Sequence, residues 1–176
     1  MRNVVLFIAI SLDGYIADVN GKVGWLGGQD SKTETLDSYG DFEKSIDTTI
    51  MGWTTYHQII TELSPGQWVY ENLQCYVLTY RDCPSTKNIK FTSEDPCSLV
   101  NYLKHKNGKD IWICGGADVV RQLMAKNLID TYHISVIPTI LGGGTRLFPD
   151  KGQEIRLRLV SFRNSNGIAE LCYRKR

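Results

Sequence analysis

Two short motifs place glycine between an apolar run and a helical pattern, an arrangement suited to binding phosphate. The first, Ile111-Trp112-Ile113-Cys114, is apolar without alternation and leads into Gly115-Gly116. Apolar residues then recur at helix spacing from Ala117, with Asn127 as the predicted stop. The glycines permit a sharp turn and leave the gap before the helix free of Cβ atoms. Unpaired N–H groups at the helix start favour phosphate there, although an ordinary strand-to-helix connection would explain the same residues.

The second motif repeats this order earlier in the chain. Thr48 to Met51 reads as a short β-branched strand, Gly52 follows, and a helix is predicted from Trp53 onward. The hydroxyls of Thr54 and Thr55 join the backbone N–H groups at this helix start. Two such corners in one domain favour a ligand that carries several phosphates.

The elements around these corners predict an α/β fold. Val4 to Ile10 is another buried strand, followed by a turn at Ser11-Leu12-Asp13-Gly14, and Gln74 to Thr79 is a third. Asp95-Pro96 starts a helix, residues 31–45 show helical spacing, residues 130–138 read as a strand, and Asn166-Gly167 predicts a closing hairpin. We therefore expect three layers: a mostly parallel twisted sheet flanked by helices, with an antiparallel C-terminal hairpin. Ligands of such sheets bind beyond the carboxyl ends of the strands.

Two loops have unusual composition. The glycine-rich segment from Asp18 to Asp30 carries Trp25, which either folds over a ligand or fills one end of the core. Gly142-Gly143-Gly144 predicts a close backbone approach or a bulge. Arg81, which follows Tyr80 after a strand, either neutralises a phosphate or is solvated.

Composition excludes several classes of protein. The 176 residues fit one domain, and a formal charge of +1 with 42% hydrophobic residues gives no indication of disorder or of a nucleic-acid surface. The five cysteines and three histidines show no metal-ligand spacing, so we expect reduced thiols and no metal. No membrane span or signal peptide is evident, and we expect a cytoplasmic protein.

The order of these motifs resembles the dihydrofolate reductase superfamily, in particular the branch related to the C-terminal reductase domain of the riboflavin-biosynthesis protein RibD. The likeness spans nearly the whole chain. It rests on Ala9 to Ala17, Ile50 to Tyr56, Val77 to Thr79, Cys114 to Ala117, and Leu141 to Gly144 with Leu147-Phe148.

The resemblance implies that the cofactor is NADPH. Ala9 and Ile16 would bracket the nicotinamide, the two glycine corners would hold phosphate, and residues 79–81 would lie along the adenosine and its 2′-phosphate. The implied cofactor-binding residues are Ala9, Ile16, Gly52, Trp53, Thr54, Thr55, Thr79, Tyr80, Arg81, Cys114, Gly115, Gly116, Ala117, Asp118 and Val119. Those expected near the nicotinamide or substrate are Asp13, Trp25, Ser135, Gly142 and Gly143.

Two departures from the family pattern bear on function. Trp53 stands where the family commonly has an arginine or another polar residue, so the preference for NADPH would depend on Arg81. No acid aligns with the carboxylate that protonates the pterin in folate enzymes, and Asp37 and Asp41 are the weak candidates for a proton donor.

The predicted activity is NADPH-dependent hydride transfer to a small heterocyclic or ribose-bearing substrate. The first candidate is a 5-amino-6-(5-phosphoribosylamino)uracil reductase-like enzyme. The alternatives are a dihydrofolate or pteridine reductase and a nucleotide-binding protein without turnover. The resemblance also implies a homodimer that pairs through the C-terminal strands.

Overall fold

The computed structural model describes residues 1–33, 38–148 and 151–176, and its central feature is an eight-stranded sheet. The strands are β1 (Val4–Ser11), β2 (Tyr15–Ala17), β3 (Ile46–Gly52), β4 (Gln74–Leu78), β5 (Ile89–Thr92), β6 (Asp110–Gly115), β7 (Thr131–Ile137), β8 (Thr145–Arg146), β9 (Leu157–Ser165) and β10 (Ile168–Lys175). The helices are α1 (Ser38–Glu43), α2 (Trp53–Gln58), α3 (Pro96–Lys104) and α4 (Ala117–Ala125), and a π-helical turn (Ile59–Leu63) continues α2.

The order of the strands confirms the predicted fold class. The sheet runs β5-β4-β3-β6-β1-β7-β10-β9, and its strands from β5 to β7 are parallel. β10 is antiparallel to both β7 and β9, which gives the expected C-terminal hairpin. β2 and β8 pair separately as a small antiparallel ribbon.

The sheet is covered on both faces because neighbouring residues of each strand point to opposite sides. Val4 and Leu6 of β1 join a core cluster with Leu99 of α3 and Leu123 of α4. Val5 points the other way and packs in a cluster that includes Phe42 of α1 and Trp112 of β6. The residues of α2 and the π-turn pack on this second face with β3 and β4. Helices therefore form a layer on each side of the sheet.

Local signals predicted the element ends well. The Asp95 side chain accepts a hydrogen bond from the Ser98 backbone N–H at 2.8 Å and so caps α3. Asn127 has a φ of 52° just after α4, and Asn166 and Gly167 have φ of 49° and 75° in the hairpin turn. Of the helix predicted over residues 31–45, α1 covers Ser38–Glu43, and residues 31–33 and 44–45 are not helical; residues 34–37 lie outside the described ranges.

None of the helices in the described ranges combines the length and apolarity needed to cross a lipid bilayer. Within the same ranges, no group of histidine, cysteine, aspartate and glutamate side chains is arranged to hold a metal ion.

Candidate functional site

A cavity of about 1010 Å³ lies at the carboxyl ends of the parallel strands, where ligands of such sheets bind. All of the predicted cofactor-binding residues except Arg81 line it. The lining residues from that prediction are Ala9, Ile16, Gly52, Trp53, Thr54, Thr55, Thr79, Tyr80, Cys114, Gly115, Gly116, Ala117, Asp118 and Val119. The fold thus brings residues from five separate strand ends into one concave site.

The two glycine corners face each other across this cavity. Adjacent strands β3 and β6 carry them, with Met51 paired to Gly115. A Cβ built on Gly52 would lie 3.6 Å from Val119 Cγ2 and 3.8 Å from the Gly116 backbone nitrogen. A Cβ on Gly116 would lie 3.4 Å from Thr55 Oγ1. The gap between the corners is therefore bordered by the Gly116 backbone, the Thr55 hydroxyl and the Val119 side chain, and a side chain at either glycine would fill it.

The start of α4 is suited to an anion. Gly116 caps the helix without any side-chain hydrogen bond to the first turn. The first backbone N–H groups of α4 therefore have no capping side chain and point toward the cavity end of the helix, where the helix dipole is positive. Gly115 has a φ of 138°, a conformation that other residues rarely adopt, so glycine is required at this corner.

One end of the cavity is formed by the residues that follow β4. Tyr80 is 95% exposed at the rim. The Arg81 guanidinium lies 4.9 Å from the centre of the Trp53 ring, so Trp53 supports a cation beside the cavity. Glu94 and Asp95 also line this end, and Asp95 is engaged as the cap of α3.

The opposite end lies between β1, β2 and β7. Ala9, Ile16 and Ser135 line it, and Val23 and Leu26 of the glycine-rich loop contribute side chains. Trp25 does not line the cavity; its ring nitrogen donates to the Lys22 carbonyl at 3.2 Å. The loop therefore borders the cavity through its aliphatic residues rather than through its tryptophan.

Asp13 does not line the cavity, and its hydrogen bonds connect two loops instead. The Ser11 hydroxyl donates to its carboxylate at 2.6 Å, and the backbone N–H groups of Leu141 and Gly142 donate at 3.1 and 2.7 Å. The Ser11 hydrogen bond, reinforced by the two backbone donors, lowers the Asp13 pKa to about 2. Asp13 thus ties the turn after β1 to the glycine-rich loop before β8, and it does not serve as a proton donor near neutral pH.

The triple glycine allows close backbone contact rather than ligand contact. Gly142 and Gly143 do not line the cavity. A Cβ on Gly144 would collide with the Ala17 carbonyl, at the point where the β2–β8 register shifts. The expected close approach and irregular pairing are both present.

The candidate proton donors on the first helix are not brought into the site. Asp41 is exposed, pairs with Lys44 at 3.1 Å, and does not line the cavity. Asp37 lies outside the described residues. The placement of Asp41 gives no support to a catalytic role.

An aromatic cluster, which comprises Phe7, Tyr39, Tyr70 and Trp112, contributes to the wall of the cavity. The ring centroids of Tyr70 and Trp112 are 5.0 Å apart and those of Tyr39 and Trp112 are 5.7 Å apart, so the rings pack on one another. Trp112 is fixed because its ring nitrogen donates to the Phe7 carbonyl at 3.0 Å. The aromatic cluster lies on the face of the sheet that α1 covers, beside Ala9, which points the same way as Phe7.

Tyr70 and Cys114 bring polar atoms to this aromatic cluster. Burial raises the pKa of the Tyr70 hydroxyl, and the nearby Cys114 thiol adds to the shift. Burial also raises the pKa of Cys114, to about 12. Both groups therefore stay protonated near neutral pH.

A buried acidic residue lies on β10, beside Ser135 of the cavity wall. Glu170 is 6% exposed and sits directly opposite Ser135 in the β7–β10 pair. Its Oε1 accepts from the Ser38 hydroxyl at 2.5 Å, and its Oε2 has no hydrogen-bond partner among the described residues. Burial lowers the pKa of the neighbouring His133, and Glu170 opposes that shift.

Comparison with known proteins identifies the family. A family model described as the RibD C-terminal domain matches residues 2–168. The chain belongs to this family. The uncharacterized protein YwjB of Bacillus subtilis (strain 168) is 35% identical over 175 residues, which cover 98% of this chain and 97% of YwjB.

Solved structures show the same fold at low sequence identity. A protein of Shewanella sp. PV-4, whose name places it in riboflavin biosynthesis, is similar with a TM-score of 0.84 and 22% identity over 100% of this chain and 99% of that one. Dihydrofolate reductase from Enterococcus faecalis, solved with NADP(H), is similar with a TM-score of 0.67 and 17% identity over 98% and 96% of the two chains. The resemblance to dihydrofolate reductase-like proteins in the sequence is confirmed.

Within this RibD C-terminal fold, sequence patterns do not reveal the aromatic cluster or Glu170. Helical spacing covers Tyr39, an apolar run covers Trp112, and no pattern includes Tyr70. Glu170 carries a usable signal, because it interrupts the apolar run of β10 with an acid. The aromatic cluster carries none, since each member is more than 30 residues from the next and they meet only when α1 packs on the sheet.

Proposed function

We propose that this chain is an NADPH-dependent oxidoreductase that transfers hydride to a small heterocyclic or ribose-bearing substrate. One observation carries the proposal: the bare backbone of Gly52 faces that of Gly116 inside a single cavity. Two helix starts that converge on one gap are suited to a diphosphate. Membership of the RibD C-terminal family supports a reductase.

The residues present fit the cofactor. Gly52, Thr54 and Thr55 would hold phosphate at the start of α2, and residues 115–119 would hold it at the start of α4. At the adenosine end, exposed Tyr80 offers a ring for stacking, and Arg81, supported by Trp53, offers a cation for the 2′-phosphate. At the other end, Ala9, Ile16 and Ser135 would contact the nicotinamide.

The cofactor would supply a hydride from nicotinamide C4. The chain would orient the reactants and exclude water. The small side chain of Ala9 leaves room beside β1, and Val23 and Leu26 place aliphatic groups at the same end of the cavity. The hydroxyls of Ser135 and Tyr70, which line the cavity, could donate to a reduced oxygen or nitrogen.

A ribose-bearing aminopyrimidine, such as 5-amino-6-(5-phosphoribosylamino)uracil, is the first candidate substrate, and it is suggested by the family. The activity is tested by titrating the purified chain with NADPH and with NADH while tryptophan fluorescence and melting temperature are recorded. We expect quenching and a raised melting temperature with NADPH, and oxidation of NADPH when a substrate is added. A chain that binds neither dinucleotide would refute the proposal, and one that binds NADPH but reduces no tested heterocycle would be a nucleotide-binding protein.

A further inference from the structure

The segment that follows β2 is joined by side-chain contacts to α2 and to the π-helical turn. We call this segment, residues 18–26, the strap. The Gln58 side chain of α2 donates a hydrogen bond from Nε2 to the Gly21 carbonyl at 2.8 Å. Lys22 Nζ of the strap pairs with Glu62 Oε1 of the π-helical turn at 2.8 Å. The strap therefore connects β2, near the nicotinamide end, with the helix whose first turn is expected to hold phosphate.

The strap and the helix that it contacts both form part of the cavity wall. The lining residues are Gly21, Val23 and Leu26 from the strap and Gln58, Ile59 and Leu63 from α2 and the π-helical turn. A ligand that extends from the start of α2 to Ala9 would lie against both surfaces. Separation of the two surfaces would therefore widen its exit.

Hydrogen bonds within the strap hold it together as a unit. The Asp18 carboxylate accepts from the backbone N–H groups of Asn20 and Lys22 at 2.8 and 2.9 Å. The Gly21 N–H donates to the Asp18 carbonyl at 3.0 Å, and the Trp25 ring nitrogen donates to the Lys22 carbonyl at 3.2 Å. Because these bonds lie inside the strap, they can persist when its contacts with α2 and the π-helical turn break.

The ion pair between the strap and the π-helical turn is suited to opening and closing. The side chains of Lys22 and Glu62 are 57% and 41% exposed. An ion pair this exposed contributes little to stability and is screened by salt. The hydrogen bond from Lys22 is the largest of the effects that lower the pKa of Glu62, so the carboxylate is charged at neutral pH and can form the pair again after each opening.

We propose that Lys22 and Glu62 form a latch that holds the strap against the cofactor-binding helix, and that opening of this latch limits the release of the bound dinucleotide. This inference rests on the proposed function, in which the diphosphate lies at the start of α2 and the nicotinamide beside Ala9. Gly21 and Gln58, the neighbouring contact pair, both line the cavity, whereas the latch residues do not. The latch would therefore act on the position of the strap rather than touch the cofactor.

Charge reversal tests the latch on the full chain loaded with NADPH. Release is followed by the change in NADPH fluorescence after rapid mixing with excess NADP+. Lys22→Glu and Glu62→Lys each place like charges together, so each should speed release at least about fivefold. The double variant, which restores an opposite pair, should return release to within about twofold of the wild-type rate. Lys44→Glu is the matched control and should leave release unchanged, because it reverses one charge of an exposed ion pair, with Asp41, that does not line the cavity.

The direction of the two single variants separates a latch from a direct effect of charge on the cofactor. NADPH is an anion, so a direct effect would make Lys22→Glu speed release and Glu62→Lys slow it. That result, unchanged release in either single variant, or a double variant that releases as fast as the single ones would overturn the inference and leave the oxidoreductase proposal standing. A wild-type chain that does not bind NADPH would instead overturn the proposed function.

Discussion

Gly52 and Gly116 lie so close that a Cβ added to the first would stand 3.8 Å from the backbone nitrogen of the second. The two residues are far apart in sequence: Gly52 ends β3, and Gly116 follows the last residue of β6. Their proximity turns two separate strand-to-helix connections into one gap with backbone on both sides. The dinucleotide proposal depends on this relationship, and the variant Gly52→Ala tests it.

Gly52→Ala should weaken the binding of NADPH and NADH by at least about 10-fold, because the methyl group would occupy the gap in which we expect the diphosphate to bind. The protein should still fold, since Gly52 has an extended conformation with a φ of −78° and the added methyl would make only ordinary contacts. Gly27→Ala, in an open loop position, is the control. Fluorescence titration measures affinity, and thermal melts verify folding. Unchanged affinity in Gly52→Ala would show that the diphosphate binds elsewhere.

Arg81→Ala should weaken NADPH binding by about 10-fold and change NADH binding little, because a charge-assisted hydrogen bond to the 2′-phosphate would be lost. The difference between the two cofactors should shrink as salt is added. Titration of both dinucleotides at low and high ionic strength gives the comparison, with Arg158→Ala, an exposed residue of β9, as the control. Equal losses for NADPH and NADH would contradict a role at the 2′-phosphate.

Asp13→Asn should lower thermal stability most near neutral pH. The folded-state pKa of Asp13 is lowered to about 2, below the value of about 3.9 for an unfolded aspartate. The stabilisation is therefore present above about pH 4 and is lost as the pH falls toward 2. Melting temperatures of the two proteins should differ at pH 7 and converge near pH 2. Asp82→Asn in an exposed loop is the control, and a difference that did not vary with pH would exclude the ionised carboxylate as the cause.

Phe162→Glu should convert a dimer into a monomer. Leu159 and Phe162 of the edge strand β9 are 52% and 58% exposed, and they lie opposite Tyr173 and Leu171 of β10. Together these residues extend an apolar face at an edge that offers unpaired backbone groups, which favours association with a second copy. Light scattering after size exclusion measures the mass, and Ile140→Glu, at another exposed apolar position, serves as the control. A monomeric wild-type chain would refute the expected homodimer.

Patterns local in sequence carried most of the fold. Unalternating apolar runs identified β1, β4 and β6, and glycine after a strand identified the corners at Gly52 and Gly115. Asp95-Pro96 and Asn166-Gly167 marked a helix start and a hairpin turn correctly. These signals succeed because capping, turn geometry and burial on both faces of a strand depend on few neighbouring residues.

Local patterns were weaker for polar residues whose role depends on distant partners. Asp13 was expected near the substrate, but the Leu141 and Gly142 N–H groups, more than 120 residues later, hold it in a structural contact. Asp41 is a weak candidate for a proton donor in the sequence, and its side chain lies at the surface beside Lys44. The residues of a short helix do not by themselves specify which of its side chains will face the sheet and which will face solvent.

The sequence by itself determined the strand and helix order, the two bare-backbone corners and the family likeness. Each of these rests on short motifs whose residues are neighbours in the chain. Only the tertiary structure decided that the corners share one gap and that Phe7, Tyr39, Tyr70 and Trp112 pack into one cluster in the cavity wall. Strand order in the sheet and the packing of α1 produce those contacts, and both arise from burial summed over the whole molecule rather than from any single motif.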